Sequence, residues 1–254
     1  MLDRFYCHLC RSHKVSARNA SFMDPRQLFV DERLAGLCVY CGGIPDTRDH
    51  VPSKVLLDRP YPPNLPVVPC CHRCNESFSA HEKYVACLVE CALTGASESG
   101  AVQRSTIKRL LEKESALCVR LTQSRREDAS DNFGWAPESE AVKVVVLKLA
   151  RGHAAYELAL PQLDEPLEVY FAPLISLPLQ ERDQYEATTV SAPVPWPEVG
   201  SRAFYRALNR EGATQQNGWI VVQRGRYRYS VEQKAGLVVQ MVLSEYLACR
   251  VLWE

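Results

Sequence analysis

At 254 residues, 46% hydrophobic and 24% charged, the chain has the make-up of an ordinary globular protein, with room for one large or two modest domains. Thirty basic side chains balance thirty acidic ones, so the total charge advertises no nucleic acid and any such binding must come from local patches. Apolar runs such as residues 144–147 are cut by Lys148 long before membrane-spanning length, which argues against a membrane partner.

The opening residues, MLDRFYCHLC, carry no apolar signal core. Eleven cysteines, several in C-x-x-C pairs, are therefore expected to be metal-bound or reduced, in the cytoplasm. Residues 1–30 form an N-terminal segment with one such pair, Cys7 and Cys10, beside His8 and His13. Alone it is half a zinc site, which Cys87 and Cys91, four apart on one helix face, could complete. Two unliganded thiols is the alternative, and the favoured one.

Residues 38–75 read CVYCGGIPDTRDHVPSKVLLDRPYPPNLPVVPCCHRCN. Cys38/Cys41 and Cys71/Cys74 bracket an Asp49-His50 dipeptide and Asn64, and Asn75 follows. Two such pairs predict a structural zinc site, because each tight turn aims two thiolates at one ion and four thiolates close its tetrahedral shell. Cys70 competes with Cys71, but only Cys71 has the right spacing. A short helical turn over residues 31–36 leads in, and Gly42-Gly43 and Pro45-Asp46 are turn chemistry. Pro52 bars further pairing of the strand that ends near His50. Five prolines between Asp58 and Pro69 predict an extended loop.

After Cys74 the pattern is helical, with Phe78, Val85, Leu88 and Val89 as its apolar stripe, Asn75 at its start and Glu76 in its first turn. Glu82, seven residues on, shares the face of Asn75, whereas His81 does not. Residues 94–100 mark a boundary. Residues 101–126 predict one further helix, rich in Arg104, Lys108, Arg109, Lys113, Arg120, Arg125 and Arg126; such a face either contacts phosphates or is simply solvated. A polar loop over 125–138 precedes a helix capped by Ser139 and running through VKVVVLKLARGHAAYEL; its β-branched run allows a strand instead, but its length and the lack of clean alternation favour helix. Beyond it come a strand over 167–177, an extended run at 193–197 and a short helix over 202–208. The last forty residues predict antiparallel sheet: strands 219–223 and 226–231 turn at Arg224-Gly225, and strands 238–243 and 247–253 follow. The alternation Arg226-Tyr227-Arg228-Tyr229 is compatible with base stacking, or with a half-buried strand. His153 reads as a packed histidine.

The ordered series Cys-x-x-Cys, Asp-His-x-x-Pro (Asp49, His50, Pro52), Asn-Leu (Asn64, Leu65) and Cys-x-x-Cys-Asn (Cys71, Cys74, Asn75) resembles the zinc-containing branch of the HNH nuclease family. The resemblance covers about a quarter of the chain and implies a ββα-metal unit, in which a two-stranded hairpin and a helix grip one divalent cation. The implied fold is α+β: an N-terminal zinc-stabilised HNH unit over 31–95, a basic connector over 96–130, and a helical and antiparallel-sheet C-terminal domain over 131–254. The implied activity is metal-dependent endonucleolytic cleavage, DNA being the substrate on resemblance alone, in a defence or restriction setting where a protein partner could dock on the C-terminal domain.

Phosphodiester hydrolysis needs a base, a cation and fixed geometry. His50 is the expected general base. The resemblance assigns Asp49 and Asn75 to Mg²⁺ or Mn²⁺, and Asn64 to orienting the loop and His50; Zn²⁺ on Cys38, Cys41, Cys71 and Cys74 is structural. Neighbours on a strand point to opposite faces, so Asp49 and His50 can cooperate only where the strand ends or bulges. Three departures stand out: the family's Gly-Gly is replaced by Ser53–Leu57, its Lys by Phe78, and its third motif residue is Asn75 rather than His. The alternative function is a non-catalytic zinc-dependent module that binds nucleic acid or protein.

Overall fold

Among the described residues a hairpin, five helices and a six-stranded sheet follow one another along the chain. This computed structural model describes residues 34, 36–63, 65–97, 99–127, 133–187, 214–216, 218–233 and 235–254. The expectations for Cys7 and Cys10, Asn64, the 193–197 run and the 202–208 helix, and most of the turn at 31–36, lie outside them. The architecture is α+β. Among the described residues no helix is long and apolar enough to cross a membrane.

Strands β1 (Thr47–His50) and β2 (Val67–Cys70) form an antiparallel hairpin in which Asp49 faces Val68 and His50 faces Val67. The expected loop is therefore shorter than its prolines suggested. Pro69 sits inside β2, where a two-stranded hairpin leaves one side of each strand without a ladder partner and the missing N–H costs nothing. Helix α1 (His72–Thr94) starts immediately after the hairpin, with the Cys71 thiol accepting from the Cys74 amide at its N-terminus and Gly95 in the left-handed conformation at its end. Because it begins at His72, Glu76 falls in the second turn and pairs with His72 at 3.3 Å on the surface.

The single helix expected over 101–126 is two. Helices α2 (Ser105–Lys113) and α3 (Ser115–Ser124) break at Glu114, whose backbone leaves the helical region and whose carbonyl accepts from Leu117 and Cys118 to restart the helix. The 125–138 loop contains a small ribbon, β3 (Arg125–Glu127) paired with β4 (Phe133–Trp135). Helix α4 (Ser139–Leu158) follows, with Glu138 rather than Ser139 at its N-cap. Its β-branched run is buried on nearly every side, which is why it carries no clean amphipathic stripe.

The predicted strand over 167–177 is β5 (Glu168–Pro173) followed by a short 3-10 turn, and α5 (Leu179–Glu186) comes next. Strands β6 (Thr214–Gln216), β7 (Trp219–Gln223), β8 (Tyr227–Gln233), β9 (Leu237–Leu243) and β10 (Leu247–Trp253) complete an antiparallel sheet of order β5-β10-β9-β8-β7-β6. Helix α4 lies in the middle: one side packs on α1 and β2, the other on β8, β9 and β10. Buried side chains from hairpin, helices and sheet form one continuous core.

Candidate functional site

The cysteine cluster comes first, because it joins the hairpin region to the start of the helix. The thiols of Cys38, Cys41, Cys71 and Cys74 lie within 4.8 Å of one another, and Cys41 Sγ is 3.7 Å from Cys71 Sγ. A tetrahedron with metal–sulfur bonds of about 2.3 Å has edges of about 3.8 Å, so the four sulfurs fit a metal such as zinc. Burial opposes charge on Cys38, yet N–H groups of Cys71, Tyr40 and Cys41 outweigh it and bring its thiol down to about 7. Cys70, one residue from the cluster, is not one of its four thiols; it is fully buried, its thiol donates to the Cys71 carbonyl at 3.2 Å, and burial, with the neighbouring Cys38, pushes it well up. Of the two neighbours, Cys71 and not Cys70 belongs to the four-thiol group, as its spacing led one to expect. Cys87 and Cys91 are buried within α1, each pushed up to about 12 by burial, so both are neutral thiols near pH 7.

The hairpin ends where the chemistry was expected. His50 is the last residue of β1, and Val51 leaves the ladder with its amide on the Pro66 carbonyl. Asp49 is buried and His50 half-buried, and both line one crevice of about 310 Å³ with Ser53, Lys54, Glu82 and Lys83. The strand's end thus removes the obstacle of opposite-facing neighbours. Glu82 stands on the crevice wall. Asn75 is half-buried in the first turn of α1, next to Cys74 of the thiol cluster, and does not line the crevice.

A lysine that the sequence reading used only to interrupt an apolar run completes the site. Lys148, on α4, is 1% exposed. Its ammonium lies 2.7 Å from Asp49 Oδ2 and 2.7 Å from Glu82 Oε1, donates to Ser53 Oγ at 2.8 Å, and approaches the His50 carbonyl at 3.4 Å. Tyr40 donates to the same Asp49 oxygen at 2.6 Å, and Ser53 donates to Glu82 Oε1. Burial, then the charge of Asp49, raises the Tyr40 hydroxyl well above its usual value, so it remains a donor. Every one of these contacts falls on one oxygen of each carboxylate. Asp49 Oδ1 and Glu82 Oε2 accept no hydrogen bond from any described residue. Two carboxylates against one ammonium leave a net negative charge, and two oxygens without donors beside a crevice are the hard ligands that Mg²⁺ or Mn²⁺ takes. Asp49 and Glu82 could offer such a cation two oxygens, whereas among the described residues only the four thiols bring three or more ligand atoms within 4.8 Å of one another.

Gly152 makes this closeness possible. It lies one turn beyond Lys148 on α4, and a Cβ there would stand 2.6 Å from Val51 Cγ2 and 3.2 Å from the Tyr40 hydroxyl. Helix and hairpin meet backbone against side chain, which brings the Lys148 ammonium within reach of Asp49.

The wider basic surface is less free than its sequence suggested. Arg104 turns inward, 7% exposed, with its guanidinium on Asp58 and on the carbonyls of Val55 and Leu57. Arg120 forks onto Glu138 at 2.8 and 2.6 Å, and Lys83 pairs with Glu114 at 2.7 Å. Lys108, Arg109 and Lys113 remain exposed. In the Arg-Tyr alternation of β8 both tyrosines are buried, so neither can stack on a base. Arg226 is held by Asp58, and Arg228 by Glu186 and Glu245. The half-buried strand is the observed outcome, and His153 is a packed histidine stacked on Tyr229 at 3.6 Å.

No family model matches this chain, and no match was found among curated proteins or solved structures. The likeness to HNH nucleases rests on the ordered motif residues alone.

Proposed function

We propose that this chain is a metal-dependent endonuclease of the HNH kind that hydrolyses phosphodiester bonds, with DNA as the first substrate to test. The observation that carries the reading is the crevice in which Asp49 and His50, sharing the end of one strand, meet Glu82 beside a four-thiol cluster. A divalent cation bound there would carry the charge that builds on the phosphate. His50 takes the proton from the attacking water. Asp49 would present an oxygen to the cation, Lys54 on the crevice wall would meet phosphate charge, and the thiol cluster would hold the hairpin against α1. The motif assigns Asn64 to orienting the loop and Asn75 to the cation, and Glu82 is the carboxylate whose position on the wall favours it over Asn75.

The test incubates zinc-loaded protein with plasmid DNA and with structured and single-stranded RNA, in Mg²⁺ or Mn²⁺ and again in EDTA. Cleavage that needs the divalent cation supports the reading, and the substrate cut fixes the nucleic acid. Binding without cleavage on every substrate would replace it with the rival, a zinc-dependent binding module. Cutting that begins only when a partner protein is added would place the C-terminal sheet in an assembly.

A further inference from the structure

A lysine ammonium buried beneath two carboxylates needs a reason. The C-terminal half supplies Lys148 from α4, while Asp49 and Glu82 come from the hairpin and α1. With side-chain exposures of 0% for Lys148, 9% for Asp49 and 14% for Glu82, the ammonium cannot exchange its partners for bulk water, while both carboxylates keep an edge on the crevice. Removing a buried charge's partner usually costs more than the pair contributes, so such an arrangement persists where it is satisfied from every side. Here it is: the three ammonium protons have Asp49, Glu82 and Ser53 as acceptors, and Tyr40 and Ser53 bond the same carboxylate oxygens. The consequence is directional. Both carboxylates are pinned by one oxygen, leaving the other without a donor from any described residue.

We propose that Lys148 is a resident counter-ion of the crevice, a buried cation that positions Asp49 and Glu82 and limits how tightly a divalent cation binds beside them. The inference rests on the reading that the crevice takes such a cation, and it concerns affinity rather than hydrolysis. Without the ammonium, two neighbouring carboxylates would repel each other and draw a divalent ion strongly. With it, the Asp49–Glu82–Lys148 trio carries one net negative charge and binds weakly. Filling then follows the free concentration of the ion, or the arrival of a phosphate that adds its own negative charge and shares the cation. Lys148 touches neither substrate nor ion in this scheme, so it is a positioning residue.

Mn²⁺ is the probe. Its binding to zinc-loaded protein is followed by electron paramagnetic resonance and calorimetry, with no nucleic acid present. The expected order is that Lys148→Met binds Mn²⁺ at least tenfold more tightly than the parent and Glu82→Gln at least tenfold more weakly. The double variant Lys148→Met/Glu82→Gln restores the parent's net charge and should return to within about threefold of it. The double variant also guards against a poorly folded Lys148→Met protein, because it must bind Mn²⁺ more tightly than Glu82→Gln alone. A natively folded Lys148→Met protein with unchanged or weaker Mn²⁺ binding, or a double variant no tighter than Glu82→Gln, would overturn the proposal. If the affinity order holds and no nucleic acid is cut, the counter-ion stands and the nuclease reading falls. If cleavage needs Mn²⁺ and the order fails, only the counter-ion is lost.

Discussion

Arg226, in the turn between β7 and β8, holds Asp58 in the loop that follows the Asp-His-x-x-Pro motif, with Nε 2.5 Å from Oδ2. The other carboxylate oxygen takes Arg104 at 2.7 Å, and Gln223 pairs with the Asp58 backbone in both directions. Glu90 of α1 stands 3.9 Å from Arg104 and 3.6 Å from Arg226. The sheet, the helix and the loop beside the crevice are therefore tied at one point.

Breaking that tie should cost stability in proportion to burial. Arg104→Ala removes a side chain that is only 5% exposed and strips the Val55 and Leu57 carbonyls of their donor, for an expected loss of about 3 kcal/mol. Asp58 is 40% exposed, so solvent screens part of its pairing and Asp58→Asn should cost about 1 kcal/mol. Urea unfolding of each variant checks the order.

The same carboxylate carries a pH signature. Burial would raise Asp58, but the hydrogen bonds from Arg226 and Arg104 outweigh it and hold the carboxyl below its ordinary 3.8. A depressed native value means the contribution is complete above the unfolded value and fades as pH falls through it towards the native one. The stability gap between the parent and Asp58→Asn should therefore narrow from about pH 5 to about pH 3. A gap constant across that window would show that the two guanidiniums do not stabilise the charge.

Metal analysis separates adjacent cysteines. The parent should hold one tightly bound zinc in the 38/41/71/74 cluster. Cys71→Ser should lose it and melt at least about 10 °C lower, since structural zinc supplies folding energy directly. Cys70→Ser should keep it, because that thiol sits in the core of β2 rather than in the cluster. Zinc retained by Cys71→Ser and lost by Cys70→Ser would reverse the ligand assignment.

At Gly152 two effects oppose each other. Alanine in a helix normally gains about 1 kcal/mol over glycine, but this Cβ would meet Val51 at 2.6 Å, and overpacking costs about 1–3 kcal/mol. Gly152→Ala is expected to destabilise by about 1 kcal/mol net and Gly152→Val by about 3 kcal/mol. A more stable Gly152→Ala protein in thermal melts would show that α4 can shift away from the hairpin at little cost.

What the chain revealed in advance follows from distance along it. The zinc cysteines, the hairpin, the helix after Cys74 and the turn at Arg224-Gly225 are local patterns, and each stands close to its expected place. The break at Glu114 and the ribbon of β3 with β4 depend on what the segments pack against, and no local signal marked them. Of the site, Asp49 and His50 were legible because they are adjacent in a motif. Lys148 was not, since its partners lie in another third of the sequence. One signal was available: a single lysine within the apolar run VVVLKLA has to find an acid, and Asp49 and Glu82 are the acids it finds. Tyr40 and Ser53 offered none.

The account turns on His50 as the base of a hydrolytic crevice. The measurement that tests it most directly is single-turnover cleavage of supercoiled plasmid in Mn²⁺ by zinc-loaded parent and His50→Ala proteins of equal zinc content and equal melting temperature. Loss of a positioned general base should slow cleavage by about 10²–10⁴-fold. A His50→Ala protein that cut at the parental rate would contradict the account.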